Sequence, residues 1–340
     1  MNFILYIFIL VVLTLLFQLF LKKKNILIND IGDSHQKFTS NKKVALTGGI
    51  LIFLGTFYFF NKEFLNLYLF LSSILILGIA SDLQLIKSAL LRLILQFSIV
   101  IFFVILDNLH LSNTRILLLN NMLQNDLFNY LFLSFCILIV LNGSNFIDGL
   151  NGLCIGYYIL ICGVIILLNN NGLVITYYNF FNYLIIILII CFLFNISNIF
   201  FLGDSGSYLL GSMFSFFLIN IYSSNANLSP FFIILLLWYP CFETLFSMIR
   251  KVNLDRTSPM KPDSKHLHQL FFLYFNKKVN FSVYISNNIS SIIINFYNLI
   301  IFLIAMNYIS SSKVQLSLIL LNLILYTIIY LRCLKFNKSN

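Results

Sequence analysis

Phe64–Asp82 reads FLNLYLFLSSILILGIASD. From Phe64 to Ser81 it carries no charged side chain, and Asp82 is the first charged residue. A run of this length and apolarity spans a bilayer core as a helix, which needs about 20 residues. An open sheet would leave backbone groups unsatisfied in lipid, so the helix is the form expected. A carboxylate then sits where the helix leaves the membrane.

The same pattern repeats along the chain. We read eleven spans, at 3–21, 44–60, 64–81, 88–106, 127–142, 150–168, 172–196, 205–222, 230–249, 284–307 and 314–333. Of the 340 residues, 60% are hydrophobic and 9% charged, with a mean hydropathy of +0.95. Those values exclude a soluble globular domain. The expected fold class is therefore all-α, a polytopic membrane protein of about eleven transmembrane helices forming one integral-membrane domain over 1–340. The first twenty residues lack a charged n-region and a small-residue cleavage site, so they read as a retained helix. The six cysteines fall in or beside apolar runs without CxxC or zinc spacing, and are expected to be small core residues.

Cations set the orientation. Lys22, Lys23, Lys24, Lys37, Lys42, Lys43, Lys87, Arg92, Arg250, Lys251, Arg256, Lys261, Lys265, Lys277, Lys278, Arg332, Lys335 and Lys338 fall on one side, 18 of the 21 Lys and Arg. Lys62, Arg115 and Lys313 fall opposite. Cytoplasmic loops carry the excess of Lys and Arg, so the N-terminus is expected outside and the C-terminus in the cytoplasm. The cytoplasmic loops then lie near 22–43, 82–87, 143–149, 197–204 and 250–283. The net charge of +10 is this topology signal, with some attraction to anionic headgroups. It needs no nucleic acid to explain it.

Asp82, Asp148, Asp204, His266 and His268 all gather on the cytoplasmic side. In Asn142–Leu153, NGSNFIDGLNGL, the glycines allow close backbone approach, and Asp148 is a candidate for a metal or a ligand donor. Its plain alternative is a turn with Asp148 capping the next helix. In Asn198–Gly211, NIFFLGDSGSYLLG, Asp204 precedes a span. It would either cap that helix or hold Mg²⁺ while free N–H groups meet phosphate. Arg92 lies one turn inside a span, where a cation is costly unless paired or facing a polar cavity; snorkelling is its alternative. The loop RKVNLDRTSPMKPDSKHLHQL sets His266 and His268 among five cations. The LFFLYFNKK that follows is expected to lay Phe271, Phe272 and Phe275 into the interface. Glu243, in WYPCFETLF beside an expected break at Pro240, is an intramembrane carboxylate, either functional or in a structural ion pair or hydrogen bond to a neighbouring helix. The outer segment 107–126 is expected to lie flat in the interface.

Taken in order, DSHQKF…LTGG, the Asp82 segment, NFIDGLNGL, FLGDSGSYLLG and PMKPDSKHLHQL resemble the polyprenyl-phosphate N-acetylhexosamine-1-phosphate transferases (the MraY/WecA superfamily, glycosyltransferase family 4). The HLH arrangement and the eleventh span bring the chain nearer the GlcNAc-1-phosphate transferase branch. The resemblance implies transfer of an N-acetylhexosamine-1-phosphate from a UDP-sugar to polyprenyl (undecaprenyl) phosphate in a bacterial cytoplasmic membrane. UMP is released, and cell-envelope polysaccharide synthesis begins. It implies Mg²⁺, or Mn²⁺ in its place, and leaves homodimer formation open. Asp82, Asp148 and Asp204 take the catalytic positions, with metal on Asp204 and Asp82. Asn145, Asn151, Arg92, His266, His268 and Asp33 take substrate positions, Asp30 competing with Asp33 for the early acid.

The chain departs from the pattern at four places. Ser81 stands where the family pairs two Asp, Asn151 replaces the second acid of DGxDG, Ile199 replaces a common Lys, and Gln269 replaces a third His. A phosphate monoester has a second pKa near 6, so direct displacement needs no general base; an aspartyl-phosphate on Asp148 is the other route. Two further readings are an anion transporter, which would set polar groups at mid-bilayer, and an inactive family member acting as a scaffold.

Overall fold

The computed structural model describes residues 2–28, 43–59, 64–170, 172–253, 256–258 and 264–339. In chain order the elements are α1 (Phe3–Lys24), β1 (Ala45–Leu46), α2 (Gly48–Thr56), α3 (Leu65–Asp82), α4 (Ala89–Leu106), α5 (Leu117–Leu123), α6 (Asp126–Ile147), α7 (Leu153–Asn170) and α8 (Tyr178–Ile196). They continue with β2 (Phe200–Phe201), α9 (Gly203–Ser224), α10 (Pro230–Leu236), α11 (Trp238–Asn253), α12 (Leu267–Lys278), α13 (Val283–Met306) and α14 (Ser312–Ser339). The protein is an all-α polytopic membrane protein, as its apolar periodicity requires.

Among the described residues, eight helices are long and apolar enough to cross a membrane: α1, α3, α4, α6, α7, α8, α13 and α14. The expected 230–249 span is instead a broken pair, α10 and α11, bent by 73°. Pro240 has no N–H to give Leu236, and its ring crowds that carbonyl, so the helix stops at Leu236 and restarts at Trp238. The expected 44–60 span is shorter than read. It opens with β1, continues as α2 and ends in a 3-10 turn at Phe57–Phe59. The expected 205–222 span is α9, whose glycines and serines make it the least lipid-like of the long helices.

α9 is the axis. Nearly every residue from Ser205 to Leu218 is buried, and the helix packs chiefly on α3 and α6, with α2 alongside. Small residues permit this, as they do at membrane helix contacts generally. A side chain at Gly78 of α3 would collide with the Ser205 backbone, and one at Gly211 of α9 would lie 2.6 Å from Ser144 Oγ. The parallel pairing of β1 with β2, Ala45 opposite Phe200, sets the start of α2 beside the start of α9.

Hydrogen bonds tie the helix ends together at each pole. At one pole Asn66 reaches Asp107, and Arg115 bonds Ser312 and the carbonyls of Asn227 and Ser310. Leu117 and Leu118 of the short α5 are exposed in this region. The opposite pole collects the ends of α3, α6, α8 and α11 with the starts of α4, α7, α9 and α12. α12 forms after the HLH segment as expected, except that Phe272 turns into the core while Phe271 and Phe275 stay half-buried. The helical repeat places Phe272 on the same face as the buried His268 and Gln269.

Candidate functional site

The site begins where α3 ends. The Asp82 carboxylate accepts the backbone N–H groups of Asp204 (2.8 Å) and Ser205 (3.1 Å), one on each oxygen. These are the orphan donors of the first turn of α9, so α9 is capped by an acid from another helix. Gly203 makes the fit possible. Its φ is +73°, and a Cβ there would stand 2.8 Å from Asp82 Oδ2.

With capping supplied by Asp82, the Asp204 side chain is turned elsewhere. Its Oδ1 accepts Asn145 Nδ2 at 2.7 Å. Its Oδ2 accepts the Ser81 hydroxyl at 2.5 Å and Arg92 Nη1 at 3.1 Å. Arg92 Nη1 also donates to Ser81 Oγ at 2.7 Å. Arg92 is thus paired rather than snorkelling, and Ser81 is a working member of the cluster. Asn145 Nδ2 extends the network to Ser207 Oγ at 3.2 Å.

Asp148 follows the last turn of α6 as its C-cap, not as the N-cap of α7. Burial pushes its carboxyl well above the usual carboxylate range, and the charges of Asp204 and Asp82 push the same way. A hydrogen bond from the Gly203 N–H acts against them. Asp82, Asp148 and Asp204 therefore lie within electrostatic reach of one another at one pole of the molecule.

Asn151 faces away from these carboxyls. Its N–H meets Asn287 Oδ1 at 2.9 Å and its Nδ2 meets Asn198 Oδ1 at 2.7 Å. Asn195 accepts the Gly152 N–H at 2.5 Å, and Asn295 donates to the Gly152 carbonyl at 3.1 Å. Side-chain amides thus lock the 148–152 turn to α8 and α13. The Asn195, Asn287 and Asn295 roles were not read from sequence, although an Asn on the inward face of an apolar run is a signal for such a lock.

The two loop histidines reach the end of α6 from the other side. His266 Nδ1 lies 2.9 Å from Glu243 Oε1, and its ring packs on Phe146 at 5.2 Å between centroids. His268 is 0% exposed, with Nε2 against Gly149 so closely that a Cβ there would collide. Neither ring nitrogen of His268 has a hydrogen-bond partner among the described residues. Burial is the main cause that lowers its pKa to about 3, and His266 adds to it against the pull of Glu243; the ring is neutral. Gln269 accepts the His266 N–H at 3.1 Å and caps α12. Lys251 Nζ stands over the Phe146 ring, 5.8 Å from its centroid. Asp30 and Asp33 lie outside the described residues.

Residues 64–222, from the start of α3 to the end of α9, match the family model described as Glycosyl transferase family 4. The matched segment, 159 of the 340 residues, is similar to that family. A 71-residue stretch is also 34% identical to an undecaprenyl-phosphate alpha-N-acetylglucosaminyl 1-phosphate transferase of Thermotoga maritima. That stretch covers 21% of this chain and 23% of the relative's length. The family segment contains Ser81, Asp82, Arg92, Asn145, Asp148, Asn151 and Asp204. Glu243 and the loop histidines come from beyond the matched segment, and the fold brings them to it.

Among the described residues no three His, Cys, Asp or Glu side chains stand at metal-ligand spacing. Mg²⁺ does not demand such a cage. It is commonly held by one or two carboxylates, with substrate phosphates and water completing the octahedron. Asp204 fits that role. Its side chain is 24% exposed, and Oδ1, which accepts Asn145, keeps a second lone pair, while Oδ2 already accepts both Ser81 and Arg92. Both Asp82 oxygens face the α9 backbone, so Asp82 would join only with its spare lone pairs.

Proposed function

We propose that this protein transfers an N-acetylhexosamine-1-phosphate, GlcNAc-1-phosphate first among candidates, from its UDP-sugar to a polyprenyl phosphate such as undecaprenyl phosphate. The observation that carries the reading is the cluster of Asp82, Asp148, Asp204, Ser81, Arg92 and Asn145 at one pole of a lipid-facing helical bundle. A lipid acceptor requires chemistry at such a pole, where a headgroup meets a polar floor while its chain stays in the bilayer. The concentration of Lys and Arg at this pole argues that it faces the cytoplasm, where nucleotide sugars are made.

An oxygen of the lipid phosphate attacks the β-phosphorus of the UDP-sugar. The bond from that phosphorus to the bridging oxygen breaks, and UMP leaves with the electron pair. The lipid phosphate is mostly dianionic at neutral pH, so the protein's task is positioning and charge stabilisation. Asp204 would hold Mg²⁺, which when bound offsets the charge of the diphosphate. Arg92 presents a guanidinium to phosphate oxygens as it now does to Asp204. Asn145 holds Asp204 in place. Asp148, whose environment favours its protonated form, can hydrogen-bond a phosphate oxygen.

The test is UMP release by the purified full chain in nanodiscs with undecaprenyl phosphate and Mg²⁺, scanned across UDP-sugars. UMP formed with one UDP-N-acetylhexosamine, dependent on both lipid and Mg²⁺, is the expected result. Absence of UMP with every UDP-sugar would overturn the proposal.

A further inference from the structure

Glu243 is 1% exposed on the inner face of α11. Buried carboxylates survive only when their oxygens are hydrogen-bonded, and here three donors converge on one group. His266 Nδ1 (2.9 Å) and the Leu267 N–H (3.4 Å) meet Oε1, and the Tyr326 hydroxyl (2.8 Å) meets Oε2. Three helices, α11, α12 and α14, are joined at this carboxylate.

Beyond His266 the contacts lead straight to the site. The His266 and His268 rings are nearly parallel, 5.6 Å apart at 10°. His266 packs on Phe146 and His268 on Gly149. Phe146 lies in the last turn of α6 and Gly149 in the turn just beyond it. Asn145, which holds Asp204, and Asp148 lie immediately beside them. The two rings therefore brace the stretch that carries both groups.

We propose that Glu243 is a positioning residue for the transfer reaction, fixing the orientation and tautomer of His266 and, through Phe146, the placement of Asn145 and Asp148. A carboxylate accepts and cannot donate, so Nδ1, the nitrogen facing it, must carry a proton. This rests on the proposed transferase reading for its kinetic arm only. A merely structural Glu243 would tie α11 to α14 through Tyr326 and leave the His266 tautomer without consequence.

The experiment compares wild type, Glu243→Gln and Tyr326→Phe as full chains in nanodiscs. Gln keeps size and can still accept from His266, but it also offers an N–H, so the tautomer is no longer dictated. Tyr326→Phe removes the α14 bond and leaves His266 on its carboxylate. In Glu243→Gln, kcat is expected to fall about 10- to 100-fold, the loss typical of a residue behind the functional groups, with KM for UDP-sugar within about threefold. The ¹⁵N spectrum of His266 should move from Nδ1-protonated to a mixture. Tyr326→Phe should keep kcat within about twofold and leave the His266 spectrum unchanged. The proposal is overturned by a wild-type kcat or an unmoved spectrum in Glu243→Gln, or by an equal kcat loss in Tyr326→Phe. If wild type itself releases no UMP, the transferase reading fails on its own account. The inference is then decided by the spectra, and by whether the His266–Phe146 ring contact loosens in Glu243→Gln alone.

Discussion

Replacing Asp204 by Asn separates what its carboxylate does for the fold from what it does for the reaction. The carboxylate accepts three side-chain donors, Asn145 on Oδ1 and Ser81 and Arg92 on Oδ2. An amide keeps one acceptor. If its oxygen faces Ser81 and Arg92, its NH₂ confronts Asn145 Nδ2, and Asn145 must flip and give up its bond to Ser207. One hydrogen bond to a charged group is lost, about 1.5–3 kcal/mol, while the repulsion that Asp204 exerts on Asp148 disappears. The two terms oppose each other, so stability should change by no more than about 2 kcal/mol.

The reaction has no such compensation. Loss of the negative oxygen at the phosphate centre should lower kcat by at least about 10²–10³, the scale of removing one preorganised electrostatic partner. UMP release and thermal melting measured in the same nanodisc preparation check both numbers. A double-mutant cycle with Arg92→Gln should give a coupling of about 1 kcal/mol in stability, since the pair is 30% and 24% exposed and screened accordingly. Wild-type turnover in Asp204→Asn would refute the assignment. Collapse of the fold would refute the stability argument.

Three more outcomes are expected. Ser81→Asp should be tolerated, with kcat within about threefold, because Arg92 already bonds position 81 and would neutralise the added charge; a dead variant would show the site to be organised differently. Asp148→Asn should abolish transfer yet melt higher than wild type at neutral pH. The folded-state pKa of Asp148 is raised, so wild-type stability falls as pH rises above the unfolded Asp value near 3.9, and the two proteins should converge at acid pH in melting scans. Gly203→Ala should cost about 1–2 kcal/mol for the left-handed conformation and more for the 2.8 Å approach to Asp82 Oδ2. Gly163→Ala, with nothing within 4 Å of the added methyl, is the control and should melt as wild type.

The helical, membrane-spanning character was legible because charge-free runs such as Phe64–Ser81 admit no other form. Convergence of the Asp82, Asp148 and Asp204 segments was legible too, since each stands at the same end of its run. Partners were not. The apolar run makes Gly78 part of a helix, but does not say that it faces Ser205, more than a hundred residues away. Asp204 read equally well as a helix cap or a ligand, and only the structure shows Asp82 doing the capping. Asn151 looked like a site residue by motif position, while its bonds run to Asn198 and Asn287. Pro240 announced a break, but its effect falls on the carbonyl four residues earlier, so the helix parts at Leu237.

The capping of α9 by Asp82 changes how an anion would be received. A bare helix start offers its N–H groups to phosphate, and the GDSG motif invites that expectation. Here the Asp204 and Ser205 donors are taken by Asp82, and the Gly203 donor by Asp148. The positive end of the helix is spent on the protein's own carboxylates. Among the described residues, what remains at the cluster is the Asp204 carboxylate with Arg92 already paired to it, because burial favours the protonated form of Asp148, so the cluster offers a diphosphate no unpaired cation. A nucleotide diphosphate and a lipid phosphate can meet there only if cations accompany them. On our proposal that charge comes from Mg²⁺, which Asp204 would hold, and from Arg92 turned to the phosphate oxygens. On that proposal the capping by Asp82 would leave the transfer dependent on the divalent ion that Asp204 would hold.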